Sequence, residues 1–144
     1  MEYRKNDIVT LEIVDCGTDG EGIGKADGFT VFVKDAVIGD TVTAKIMKAK
    51  KNYGYGRLME ILKPSPYRVD PICPSARQCG GCQLQAVSYE EQKAFKEKKL
   101  RGHLERIGGF KELPMEPLIG MDEPYHYRNK AQFPVGRNKE GRIV

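Results

Sequence analysis

Tryptophan is absent from the 144 residues, and histidine occurs only twice, at His103 and His126. Two histidines leave little room for a histidine-based catalytic site. No Ser/His/Asp order and no paired-carboxylate arrangement stands out, so a nucleophile with its own base is missing. No apolar run approaches the roughly 20 residues that a membrane-crossing helix needs. The amino terminus, MEYRKNDIVT, lacks the apolar stretch of a secretory signal. The expectation is therefore a cytoplasmic chain with no membrane partner, in a compartment where stable disulfides are rare. Full disorder is excluded by composition, with 40% hydrophobic and 31% charged residues. The length suits one domain or two small ones.

The formal net charge is only +4, but its distribution is informative. Basic and acidic residues balance over 1–63, so the whole excess lies in 64–144. Within the first part, Lys45, Lys48, Lys50, Lys51, Arg57 and Lys63 face a single acid, Glu60. A basic stripe on an otherwise balanced small domain is a footprint for phosphate; the alternative is a solvated strand face.

Residues 7–63 read as all-β. Asp7–Asp15, Gly28–Lys34, Thr41–Met47 and Tyr55–Leu62 alternate or carry β-branched and aromatic residues. Gly/Asp clusters separate them. Short strands at this spacing predict a small barrel or sandwich, and closure would remove sticky edges. The Gly20-Glu-Gly22-Ile-Gly24 run lacks the following helix that a dinucleotide loop requires, and reads as a hairpin loop. Pro64, Pro66, Pro71 and Pro74 make 64–87 a loop and place a domain boundary near Lys63–Pro66. Ser88–Ile107 reads as a helix: Ser88 and Glu91 form a capping box, and Gly108-Gly109 stops it. Its imperfect stripe of Phe95, Leu100, Leu104 and Ile107 suggests an ordinary surface helix rather than an RNA-reading one. Tyr127–Gly136 resumes strand character, and Arg137–Arg142 reads as a hairpin turn. The chain stops where a returning strand is due, so the expectation is part of a longer protein.

Cys73-Pro-Ser-Ala-Arg-Gln-Cys79-Gly-Gly-Cys82 is the strongest motif. Two cysteines at C-x-x-C spacing with a third six positions upstream can aim three thiolates at one point. Gly80 and Gly81 allow tight wrapping. A disulfide is the weakest reading. Zinc and an iron–sulfur cluster stand equal on spacing, and either needs a fourth ligand. For zinc that would be His103, His126 or Cys16. Cys16 reads as a half-buried small hydrophobe of a barrel strand.

Lys48–Arg57 (KAKKNYGYGR) interleaves Lys48, Lys50, Lys51 and Arg57 with Tyr53 and Tyr55. Cations can follow phosphates while aromatic faces stack on unpaired bases, which points to RNA contact. Arg128, Asn129, Lys130 and Gln132 form a second cluster, able to position phosphate and bond base edges.

CPSARQCGGCQLQ, then SYEEQKAFKEKKLRGHL, then PYHYRNKAQFPVG together resemble the class I RNA (uracil-5-)methyltransferases. The preceding segment DCGTDGEGIGKADGFTVFVKDAVIGDTV resembles their TRAM domain, an OB-like RNA-binding barrel. The resemblance covers nearly all of the chain. It implies an α+β architecture: a TRAM-like barrel over 1–63, then over 64–144 a cysteine-rich loop, one helix and the start of a small α/β central domain. It implies a [4Fe-4S] cluster on Cys73, Cys79 and Cys82, with a fourth cysteine beyond the chain and a structural role in pinning the loop beneath the RNA. Members transfer methyl from S-adenosylmethionine to C5 of a uridine, using a cysteine that adds to C6 and a carboxylate base. The cofactor domain, that cysteine and that base are all expected in a C-terminal part, so this fragment alone should be inactive. RNA is the implied partner, ribosomal RNA ahead of transfer RNA, with no obligate protein partner. The reading from another class is a non-enzymatic RNA-binding module with a structural zinc knuckle.

Overall fold

A computed structural model describes residues 3–130, 132 and 135–143. Its architecture is α+β. Five strands form a closed barrel: β1 (Ile8–Cys16), β2 (Gly22–Ala26), β3 (Phe29–Lys34), β4 (Thr41–Ala49) and β5 (Tyr53–Lys63), in the spatial order β1-β2-β3-β5-β4. All neighbours are antiparallel except β3 and β5, which run parallel. Val9, Leu11, Ile13, Val31, Val33, Val42, Ala44 and Ile46 fill the interior. They are the inward half of each alternating strand, and closure leaves no open edge.

The Gly20–Gly24 run is not the expected hairpin loop, because Gly22 to Ala26 is a strand. The reason is steric. A Cβ on Gly22 would lie 2.8 Å from Ala36 O and from Ile13 Cγ2, and one on Gly24 would lie 2.8 Å from Glu12 O. Glycine fills inward positions where the backbones meet too closely for a side chain. The β2–β3 turn follows at Asp27 and Gly28, with φ of 47° and 84°, the left-handed pair that tight hairpins need.

After β5 the chain makes a closed excursion. Val69 N–H donates to Ala86 O, Ser88 N–H donates to Tyr67 O, and Arg68 pairs with Val87 across this neck. Arg68 then locks the neck to the barrel. Its Nη2 lies 2.5 Å from Asp40 Oδ2 and its Nε 3.1 Å from Asp40 Oδ1. Asp40 is fully buried and also accepts from the N–H groups of Val37 and Ser65. The excursion is not all loop: α1 (Ala76–Cys79) makes one turn and ends at left-handed Gly80. The four prolines all precede this turn.

Helix α2 (Tyr89–Arg106) starts directly at the neck. Half of the expected capping box forms. Ser88 Oγ accepts from Glu91 N–H at 3.4 Å, but the Ser88 N–H is taken by Tyr67 O rather than by Glu91. Gly108 and Phe110 N–H groups close the carboxyl end on His103 O and Leu104 O. The predicted apolar stripe is not buried: α2 has no buried residue, and Leu100 and Ile107 are 53% and 82% exposed.

Beyond α2 the expected strand over Tyr127–Gly136 is not formed among the described residues, and 131, 133 and 134 of that stretch lie outside them. A strand needs a ladder partner, and here the only pairing among the described residues is the Arg137–Ile143 bridge around the predicted turn. No described helix is long and apolar enough to cross a membrane.

Candidate RNA-binding face

The sequence Tyr53-Gly-Tyr55-Gly-Arg57 alternates because the barrel interior is already full. A Cβ on Gly54 would lie 3.1 Å from the Phe29 ring, and one on Gly56 would lie 3.0 Å from Val31 Cγ1. Glycines therefore take the inward positions, and Tyr53, Tyr55 and Arg57 point outward. On β4 the strict alternation would send Lys48 inward after Val42, Ala44 and Ile46. A bulge between Ile46 and Lys48 adds Met47, and Lys48 then pairs with Tyr55. One extra residue thus moves a lysine from the interior to the aromatic face.

The registers place residues of four strands in rows across this face. Ile23, Phe32, Tyr55 and Lys48 are successive partners, as are Lys34, Arg57 and Lys45 beside them and Lys25, Thr30 and Tyr53 on the other side. Phe32, Tyr53 and Tyr55 form one cluster, with ring centroids 5.6 to 5.9 Å apart. Lys50 Nζ sits 5.2 Å from the Tyr53 centroid. Their hydrogen bond lowers the Tyr53 phenol from its ordinary value and raises the Lys50 ammonium. Lys50 and Lys51 are exposed at the β4–β5 turn. The result is a shallow aromatic patch flanked by cations, suited to stacking bases and following a phosphate backbone.

All six predicted barrel residues, Lys48, Lys50, Lys51, Tyr53, Tyr55 and Arg57, therefore lie on or beside one face. Lys45 of the basic stripe belongs to it too, as do Phe32, Lys25 and Lys34, which sequence reasoning missed. Phe32 alternates with buried Val31 and Val33, and its pairing with Tyr55 sets it on the outward face. The second cluster is placed differently. Arg128 stacks 5.9 Å over Tyr127, whose hydrogen bond raises the guanidinium pKa. It joins a groove with Cys82, Gln85, Tyr89, Gln92 and Lys96. Asn129, Lys130 and Gln132 are exposed.

The cysteines occupy the excursion held by Arg68. Cys73 is half-buried, its N–H donating to Gln85 Oε1, while Cys79 ends α1 and, like Cys82, is exposed. The described residues contain no group of three or more His, Cys, Asp or Glu placed to hold a metal. Cys16 is the half-buried strand residue expected, and burial, with Glu21 adding to it, pushes its thiol up to about 11.

Residues 4–59 match the TRAM domain family. The barrel is thus similar to a TRAM domain. The chain as a whole is similar to proteins named uncharacterized RNA methyltransferases. It is 47% identical to one from Halalkalibacterium halodurans, over 98% of this chain and 31% of that protein. It is 45% identical to one from Bacillus cereus over the same shares. Identity to one from Clostridium tetani is 47%, over 96% of this chain and 30% of that protein. The chain thus spans about a third of the length of these relatives. A solution structure of a conserved protein from Methanococcus maripaludis has 28% identity and a TM-score of 0.38, covering 40% of this chain and 83% of its own.

Proposed function

We propose that this chain is the RNA-gripping part of an S-adenosylmethionine-dependent RNA uridine C5-methyltransferase, with ribosomal RNA as substrate. The observation that carries the reading is the row Ile23, Phe32, Tyr55 and Lys48 across the TRAM barrel, with cationic residues on both sides. The names of the relatives support the methyl-transfer part. S-adenosylmethionine supplies the methyl group, and on this reading it is held by the remainder of the parent protein. The residues of this chain do the gripping. Tyr53, Tyr55 and Phe32 stack on unpaired bases, and Lys48, Lys50, Lys51 and Arg57 neutralise phosphates. Arg128, Asn129, Lys130 and Gln132 contact the RNA at a second place, and the fragment alone transfers no methyl group. Binding a [4Fe-4S] cluster requires Cys73, Cys79 and Cys82 to draw together from their present placement.

The test is salt dependence. Each phosphate contact on a single strand contributes about 0.7 to the slope of log affinity against log salt. The Lys48/Lys50/Lys51 triple alanine variant should therefore lose about 2 from the slope for an oligouridylate. An unchanged slope overturns the assignment.

A further inference from the structure

The aromatic row does not end on open surface. Ile23 and Phe32 also line one wall of a groove of about 270 Å³ whose other wall is α2. From the helix come Phe95, Lys99, His103 and Arg106. Lys99 Nζ lies 5.2 Å from the Phe95 ring centroid. The barrel's two acids at this groove are both engaged. Asp15 pairs with Lys98 at 3.2 Å, and Glu21 accepts from Asp19 N–H at 3.0 Å. Lys99 and Arg106 make no ion pair among the described residues.

The helix itself is unusual in having no fully buried residue. Helices that are polar around their circumference are sustained by ion pairs or by spanning between other parts. The Asp15–Lys98 pair and the Ser88 cap at the neck hold α2 at the barrel's flank, and the groove stays open between them. An open cleft with an aromatic on each wall and unpaired cations on one side complements a nucleotide: a flat base between rings and an anionic phosphate outside.

We propose that the groove between β2–β3 and α2 is a second nucleotide site, continuing the single-stranded RNA path from the barrel face. Phe32 and Phe95 receive a base, and Lys99 and Arg106 take the phosphate. The inference rests on the reading that the barrel face binds RNA. It also reassigns α2 from an ordinary surface helix to one wall of the path.

The experiment uses the 144-residue chain with fluorescein-labelled oligouridylates of four and twelve nucleotides, titrated across salt concentrations. The short oligomer fits the barrel row alone, and the long one reaches the groove; OB-type folds occupy roughly 4 to 16 nucleotides. The Lys99→Ala/Arg106→Ala variant should lower the salt slope for the long oligomer by about 1.4, from two contacts at about 0.7 each. It should leave the short oligomer unaffected, and Lys99→Arg/Arg106→Lys should restore the slope. If the long-oligomer slope is unchanged while Tyr55→Ala weakens both lengths, the groove assignment falls and the barrel reading stands. If neither length binds the wild type, both fall.

Discussion

Replacing Asp40 with Asn should loosen the neck held by Arg68 from the barrel. Asp40 has no exposed surface, and it accepts four hydrogen bonds: Val37 N–H at 2.7 Å, Ser65 N–H at 2.8 Å, and two from Arg68. An Asn side chain has one acceptor oxygen, and its amide group would face donors with a donor. Arg68, only 19% exposed, would be left without its counter-charge. Removing one member of a buried pair costs about 3–5 kcal/mol, a large share of the roughly 5–15 kcal/mol that stabilises a typical domain. Urea unfolding at neutral pH, followed by far-ultraviolet circular dichroism, measures it. The pH dependence carries a sign. Burial pushes the Asp40 carboxyl up, but Arg68 and the Val37 and Ser65 N–H groups outweigh it and hold the carboxyl below its ordinary value. Stability from a depressed carboxyl is present above the unfolded value, about 3.9, and is lost as pH falls through the folded one. The gap between wild type and Asp40→Asn should persist down to about pH 4 and close only below it. A loss under about 1 kcal/mol at neutral pH would refute the reasoning.

Gly22→Ala should destabilise by about 1–3 kcal/mol, since its Cβ would meet Ala36 O and Ile13 Cγ2 at 2.8 Å; thermal denaturation reads this, and an unchanged midpoint contradicts the close-approach argument. Protein prepared without oxygen and reconstituted with iron and sulfide should gain broad visible absorbance, and Cys79→Ser/Cys82→Ser should abolish it. Colourless protein carrying about one zinc per chain instead would replace the cluster with a zinc knuckle.

The barrel was readable in the sequence because its strands alternate with period two and are punctuated by Gly and Asp. What escaped was whatever depends on pairing across strands. Strand β2 was hidden because its inward residues, Gly22 and Gly24, carry no hydrophobic signal, although packing is what demands them. Phe32 was hidden because its partner Tyr55 lies in a distant strand. The bulge at Met47 was invisible for the same reason, yet it puts Lys48 where the alternation would not. Around α2 the failure was different. Phe95, Leu100, Leu104 and Ile107 read as the imperfect stripe of a surface helix, but what positions the helix is the Asp15–Lys98 pair and the neck, which are long-range polar contacts. The cysteine spacing was obvious in the sequence, while the gathering of three thiols was not decided by spacing.

The central claim is that the outward TRAM face grips single-stranded RNA through its tyrosines. Fluorescence anisotropy with a twelve-nucleotide oligouridylate, comparing wild type with Tyr53→Ala/Tyr55→Ala, tests it most directly. Base stacking is worth about 1–3 kcal/mol per ring, so the double variant should bind at least about 30-fold more weakly. Equal affinities for the two proteins would contradict the account.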